Sequence, residues 1–599
     1  MKNIFYKLIA AGCLIQVLLL TPACNGFEPE PLNWNTEDRV LNPADSTANS
    51  GMKGIFNAIY LSLPTLHNRL QNSYLDAATD DGVATKDQGG SGSLENYRNG
   101  LLSPGNIDYL DGNAWDRNYT GIRRANLFLR SIQGYPASTQ LPAERIVQMK
   151  AEARLLRAYY YIELIKRWGG VPLLGDQVLG SESDANIPRS PLEECVEYIL
   201  SEISPNTGKY PQTCYYDLHI AQSGKEVDEP EYGRVNQGVA LALISRMKLY
   251  LASPLYDDAS PLVGYKIGDP NKWKDAADAA KALIDLDVYA LATDPVKQFA
   301  MNSTDFPNKE MIFLKEMASN SSIETQNSPV GYFYGSATAG NAIIASQGST
   351  SPSQNLVDAF LTLDGKTIDD PTSEYNEQAP YANRDPRLAR TVFINGTMWL
   401  KRAVQTFDGG LDRSLQPNMS YTQTGYYLRK FLGDNANTDT YTALNHHVQL
   451  IRYAEILLNY AEALNEYAPS QKNEIEAGII ALRKRAGIKA GSDSRYGLPT
   501  DYSQAEMRKI IHNERRIELA YEDHRFWDIR RWKIADQEEA VMLQPVRGVN
   551  IIKQEDGAYR YEYGSVRRST FSRQMYWYPI PRGEMQGNNK LVQNPGWNY

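Results

Sequence analysis

Glu514 and Glu518 stand one helical turn apart in Asn513-Glu514-Arg515-Arg516-Ile517-Glu518-Leu519, on a stripe shared with Ile510, Ile511, Ile517 and Tyr521. Two carboxylates at that spacing on an apolar face could act as general acid and base. The same stretch carries Arg515, Arg516, Arg525, Arg530 and Arg531, and a buried carboxylate needs cations and hydrogen bonds around it. The arginines decide the reading. Glu514, Arg515, Arg516, Glu518 and Arg525 are expected to form a structural ion-pair network, and Glu455 and Glu462 are read in the same way.

Other catalytic or metal chemistry has thin support. Six His are present, and His446-His447 is their one cluster, but adjacent residues rarely make a metal site. Asn435-Ala436-Asn437-Thr438-Asp439 alternates oxygen ligands yet lacks the Gly and closing Glu of a calcium loop. No Gly-x-Ser-x-Gly elbow, phosphate loop or dinucleotide fingerprint occurs. Cys195 and Cys214 could pair in an oxidising compartment, though spacing alone does not show it. The expectation is a protein that is not an enzyme and uses no metal or cofactor.

What remains is surface recognition. Tyr (39) and Trp (9) far outnumber Phe (14), and aromatics with a polar handle suit flat apolar ligands at half-wet surfaces. A site for such a ligand needs these platforms beside hydrogen-bonding side chains. The candidate platforms are Tyr97 and Tyr109, with Asp80, Asp81 and Asn99 as polar partners; Tyr332, Phe333 and Tyr334; and Trp399 and Tyr421. Trp115, Tyr119, Trp168, Trp273, Trp527 and Trp532 are assigned to packing. Arg384, Arg387, Lys401 and Arg402 are a candidate basic patch for an anionic ligand.

These residues hang on two kinds of segment. Apolar stripes of helical period run over 150–167, 273–284, 451–467 and 504–521, and 237–252 is apolar nearly all round. Ala at their packing positions lets helices approach closely, as in helix-pair repeats, although no strict period is visible. Between them lie stretches dense in Gly, Ser, Thr, Asn and Pro at 80–113, 319–352 and 394–443, and loops this long are usually functional. The fold class read from this is mainly α, a helical scaffold with elaborate loops.

The 599 residues are 42% hydrophobic and 22% charged, which excludes disorder, collagen and a polytopic membrane protein. A net charge of −9 argues against bulk attraction to nucleic acid or anionic lipid. Lys2 and Lys7 precede the apolar run Leu8 to Leu20, too short to span a bilayer and shaped like a secretory signal. It ends in Leu20-Thr21-Pro22-Ala23-Cys24, similar to a bacterial lipoprotein box, with Pro22 an atypical occupant. The expected organisation is a leader at 1–23, a tether from lipidated Cys24 to residue 50, and one domain at 51–599.

Consecutive motifs carry a resemblance. Arg452-Tyr453-Ala454-Glu455, Tyr460-Ala461-Glu462-Ala463-Leu464-Asn465-Glu466 and Leu482-Arg483-Lys484-Arg485-Ala486-Gly487-Ile488 precede Asn513 to Leu519 and Arg525-Phe526-Trp527-Asp528-Ile529-Arg530-Arg531-Trp532. Tyr578-Pro579-Ile580-Pro581 and Gln593-Asn594-Pro595-Gly596-Trp597 close the chain. Together they resemble the RagB/SusD family of Bacteroidetes outer-membrane lipoproteins. The resemblance implies a SusD-like fold of four TPR-like helix pairs packed against an irregular, loop-rich part with few short strands. It implies, too, a SusC-type TonB-dependent channel as partner and a glycan or other nutrient oligomer as ligand. A surface glycan-degrading enzyme and a protein-only helix-repeat adaptor are the competing functions.

Overall fold

The computed structural model describes residues 48–598 apart from 68, 71–72, 86–93, 181–185, 221–232, 294–298, 300–307, 335–343, 414–420 and 537–538. The expected leader, Cys24 and the expected tether as far as residue 47 lie outside the described residues. The chain divides into Met1–Lys53 and Gly54–Tyr599, and the second unit is described here.

Its scaffold is four successive helix pairs: α1 (Ala114–Ser131) with α2 (Ala143–Trp168), α3 (Gln237–Ala252) with α4 (Asn271–Ile284), α5 (Tyr453–Tyr467) with α6 (Lys472–Ala486), and α7 (Gln504–Glu518) with α8 (Arg525–Arg531). Local signals set their ends. Asn236 caps α3 by accepting from the Val239 N–H, Ser503 and Glu506 form a capping box on α7, and Gly487 at φ 94° terminates α6. Small residues carry the close packing: Ala252 of α3, Ala276 and Ala277 of α4 and Ala463 of α5 meet in one cluster. Ala461, Leu464, Ile475, Ile479, Met507 and Ile511 join α5, α6 and α7 in another.

The strands are short and pair antiparallel in twos. They are β1 (Gly82–Ala84) with β3 (Thr350–Pro352), β2 (Met311–Lys315) with β4 (Val448–Arg452), and a longer hairpin of β5 (Val546–Lys553) with β6 (Tyr559–Arg567). The long loop regions of the sequence are not bare. Two-residue ladders join Val392–Phe393 to Tyr427–Leu428 and Met398–Trp399 to Arg402–Ala403. They assemble a separate core of Tyr332, Phe393, Trp399, Val404, Tyr427 and Tyr441 outside the helix pairs. Cys195 and Cys214 are both free and buried.

Candidate functional site

Five residues expected at a ligand platform are buried: Tyr97, Asp80, Asp81, Tyr332 and Trp399. The Tyr97 hydroxyl accepts from Arg530 at 2.6 Å. Tyr332 lies under the Arg402 guanidinium, 3.9 Å from its centroid, and donates to the Arg402 carbonyl at 3.0 Å. Trp399 is fully enclosed, edge-on to Phe393 at 5.0 Å, with its indole N–H given to Ser328. A ring with no free face cannot stack on a sugar, so the structure corrects these assignments. Tyr421 is half-buried against the same core. Tyr109, 56% exposed, and Asn99, which donates to Glu95 at 3.0 Å, are on the surface. The backbone of Phe333–Tyr334 is a short strand, and their side chains lie outside the described residues.

Asp80 and Asp81 face arginines instead of ligand. Arg525 donates to Asp80 at 2.9 and 2.8 Å, and Arg516 reaches Asp80 at 2.9 Å and Asp81 at 2.7 Å. Burial alone would raise the Asp80 carboxyl, but Arg516 and Arg525 outweigh it and hold it at about 2.

The motif glutamates sit in a second, larger network. Glu514 accepts from Arg387 at 2.6 Å and Arg483 at 2.9 Å. Glu518 accepts from Arg387 at 2.9 Å and Arg452 at 2.8 Å and pairs with Arg485. Arg452, delivered by the end of β4, also meets Glu310 at 2.7 Å and Glu522 at 2.6 Å. Lys430 on Glu522 and Asp385 on Arg387 complete the cluster, with five carboxylates facing five cations. Against the desolvation that would raise it, Arg485, Arg452, Arg387 and Lys430 hold Glu518 well below the ordinary carboxyl value. Both oxygens of Glu514 and both of Glu518 are thus engaged by guanidinium groups, and neither side chain is free to serve a substrate as acid or base. Arg515 turns the other way, to Asp528 and Asn459.

The basic patch does not form. Arg384 is buried on the carbonyls of Val357 and Phe360, Arg387 belongs to the network, Arg402 pairs with Asp412, and Lys401 pairs with Asp439. His446 faces Glu324 at 3.0 Å, and His447 Nδ1 accepts from the Met317 N–H. Among the described residues no group of three or more His, Cys, Asp or Glu is placed to hold a metal.

An aromatic surface exists where sequence reasoning did not look. Asp556-Gly557 turns the chain between β5 and β6, with Gly557 at φ 86°, a conformation that suits Gly. Alternation on β6 then puts Tyr559, Tyr561 and Tyr563 on one face over roughly 14 Å. Phe407 packs on Tyr559 at 5.8 Å, Tyr381 meets Tyr561 edge-on at 5.6 Å, and Tyr563 lies beside Tyr375 and Asp358. Of these six rings Tyr563 is 42% exposed and the others are partly exposed, so the row is fixed by packing yet open to solvent. Burial raises the Tyr381, Tyr561 and Tyr563 phenols, which stay protonated and able to donate. Lys553, 5.6 Å from the Phe407 centroid, and the Arg547–Asp358 pair flank the row. The pattern Tyr-x-Tyr-x-Tyr after Asp-Gly was its available signal.

Four helix pairs packed against a loop-rich part with short strands constitute a mainly α, SusD-like fold. The SusD family model matches residues 309–597, and that of the family described as "Starch-binding associating with outer membrane" matches 66–224. The chain belongs to the SusD/RagB family. SusD-like protein P38 of Formosa agariphila is 24% identical over 471 residues, 75% of this chain and 76% of that protein. SusD-like protein P2 of the same organism is 34% identical over 149 residues, which span only 24% of this chain and 25% of that relative. A SusD-like protein from Bacteroides fragilis shares the fold, with TM-score 0.71 and 23% identity over 93% of this chain and 99% of its own.

Proposed function

We propose that this protein is a non-catalytic, outer-membrane lipoprotein, facing the cell exterior, that binds a glycan or similar nutrient oligomer and passes it to a SusC-type TonB-dependent channel. The row of Tyr559, Tyr561 and Tyr563 carries the saccharide part of this reading, in a chain whose family is described as starch-binding and associating with the outer membrane. Rings at two-residue spacing offer a linear platform to a linear chain. Their faces take apolar sugar faces, and phenol, Lys and Asp groups take hydroxyls. Tyr109, Asn99 and Tyr421 are secondary contacts.

The saturated state of Glu514 and Glu518 supports a role without chemistry. No described helix is long and apolar enough to cross a membrane, and acyl chains on Cys24 would supply the attachment. Residues 51–599 act as one domain in this reading.

Calorimetry of the mature protein against a polysaccharide panel tests it. The triple variant Tyr559→Ala, Tyr561→Ala, Tyr563→Ala, and the milder Tyr563→Ala, should weaken binding at least tenfold and several-fold respectively, with thermal unfolding retained. Folded variants that bind as the parent protein does would remove the row from the site. Oligosaccharide released from any panel member would remove the non-catalytic reading.

A further inference from the structure

A groove of about 870 Å³ opens within the helix-pair scaffold, away from the hairpin row, where the start of α4, the sides of α5 and α7 and the segment after α8 converge. Its volume falls in the range of small-ligand sites. Its floor is a stack: the His512 ring lies on Trp532 at 3.5 Å between centroids and 12° between planes. The Trp532 N–H is committed to Glu462 at 2.8 Å, and Trp273 adds a half-buried indole to the wall.

The polar groups of this groove divide sharply into used and unused. Glu462 is held by Arg531 at 2.7 Å, Glu466 by Arg508 at 2.6 Å and Asp257 by Lys272 at 3.4 Å, while Asp269 accepts from the Asn271 N–H at 2.9 Å. Glu539 alone of the lining carboxylates has no hydrogen-bond or ion-pair partner among the described residues. On the cationic side, the Lys509 and Lys533 ammonium groups make no hydrogen bond or close ion pair among the described residues, and the more distant charges of Glu506 and Asp257 act on them. His512 makes no hydrogen bond among them, and its approach to Glu462, at 3.8 Å, is too long for one. Burial keeps its imidazole neutral, with a value near 3, so the ring retains both a donor and an acceptor. Buried polar groups are as a rule hydrogen-bonded. The half-enclosed imidazole, with the half-buried Lys533 and the exposed Lys509 at the same groove, offers unused donors to acceptor atoms.

From this surplus of unengaged donors beside aromatic faces, we infer that the groove is a second binding site, taking a sugar ring that carries an anionic group, a carboxylate or a sulfate ester. The ring's apolar face lies on the indole wall, and the anionic group is taken by Lys509 and Lys533, with His512 as neutral donor. Only the saccharide half of the inference rests on the glycan-binding reading above.

The test is titration of the full mature protein with oligogalacturonate, a sulfated oligosaccharide, a neutral oligosaccharide of equal length and inorganic sulfate, following tryptophan fluorescence and heat. One or both anionic oligosaccharides should bind, tenfold or more tightly than the neutral one, and which of them binds separates carboxylate from sulfate ester. Lys509→Gln with Lys533→Gln should weaken that binding at least tenfold, and Tyr563→Ala should leave it unchanged. Added salt should weaken it as well. Equal affinity for the neutral oligomer, equal affinity for inorganic sulfate alone, or an unaffected lysine variant would each overturn the inference. If the neutral panel still binds at the hairpin while no anionic oligosaccharide does, only the groove assignment falls. If no saccharide of any kind binds, the glycan reading falls first.

Discussion

At the scale of a residue, the effect of a buried carboxylate depends on what faces it, and two such groups here have opposite signs. Glu514 faces Arg387 and Arg483. Glu514→Gln keeps the shape but sets an amide donor against a guanidinium and leaves cationic charge uncompensated. Breaking one partner of a buried pair costs about 3–5 kcal/mol, so the urea midpoint should fall clearly. Asp76 is also fully buried, but one oxygen accepts only the Tyr521 N–H and the other has no partner. Burial, then Asp81 and Asp523, raise its carboxyl well above the ordinary value. The folded protein holds that proton where the unfolded chain has released it, so Asp76 erodes stability as pH rises past the ordinary carboxyl range. Asp76→Asn should therefore stabilise at pH 7 and do little at pH 4. Equal urea midpoints for parent and variant at both pH values would show that Asp76 is ionised in the fold.

At the scale of elements, the α1–α2 contact is set by one missing side chain. A Cβ on Gly121 would stand 2.4 Å from the Tyr160 ring, which is fully buried and donates to the Ile59 carbonyl at 2.5 Å. Ala normally gains about 1 kcal/mol over Gly inside a helix, but overpacking costs about 1–3 kcal/mol. Gly121→Ala should thus destabilise by up to about 2 kcal/mol, whereas Gly54→Ala, within the helix Ala48–Leu61 and with open space around it, should stabilise. If both variants shift the denaturant midpoint in the same direction, the close approach is not what holds the pair.

The helices were legible because a 3.6-residue stripe is a local signal: the stripes at 150–167 and 273–284 lie in helices Ala143–Trp168 and Asn271–Ile284. The burial of Tyr332 and Trp399 was not legible, because one of the ladders around them joins Val392–Phe393 to the distant Tyr427–Leu428 and the other, Met398–Trp399 with Arg402–Ala403, is too short to show a strand pattern. For the ion pairs, residue types were readable and partners were not: Glu514 finds Arg387 across 127 positions, not its neighbour Arg515. The hairpin row is locally encoded, by the Tyr-x-Tyr-x-Tyr alternation after Asp-Gly, but it lies outside the long loops.

At the scale of the whole molecule, the arginine–carboxylate pairs fasten segments that no helix stripe joins. Asp80, near the start of the described chain, is held by Arg516 of α7 and Arg525 of α8, and Glu462 of α5 is held by Arg531 of α8. Burial opposes both charges, but Arg531 outweighs it at Glu462, as Arg516 and Arg525 do at Asp80, bringing each carboxyl to about 2. A carboxyl depressed in the fold contributes its full stabilisation above the unfolded value and loses it as pH falls through the folded value. The window for Glu462 therefore runs from its ordinary 4.5 down to about 2, worth about 3 kcal/mol at 1.36 kcal/mol per unit. The urea midpoint should accordingly fall steadily below about pH 4.5, and 0.5 M salt should blunt that fall little, because buried pairs are weakly screened. Asp76 works in the opposite sense on the neutral side, so the Asp76→Asn variant should level the profile there while leaving the acid limb intact. A midpoint that stays flat down to pH 3 in that variant would mean the fastening pairs are not charged in the fold. The helix pairs would then be held by their alanine-lined contacts alone.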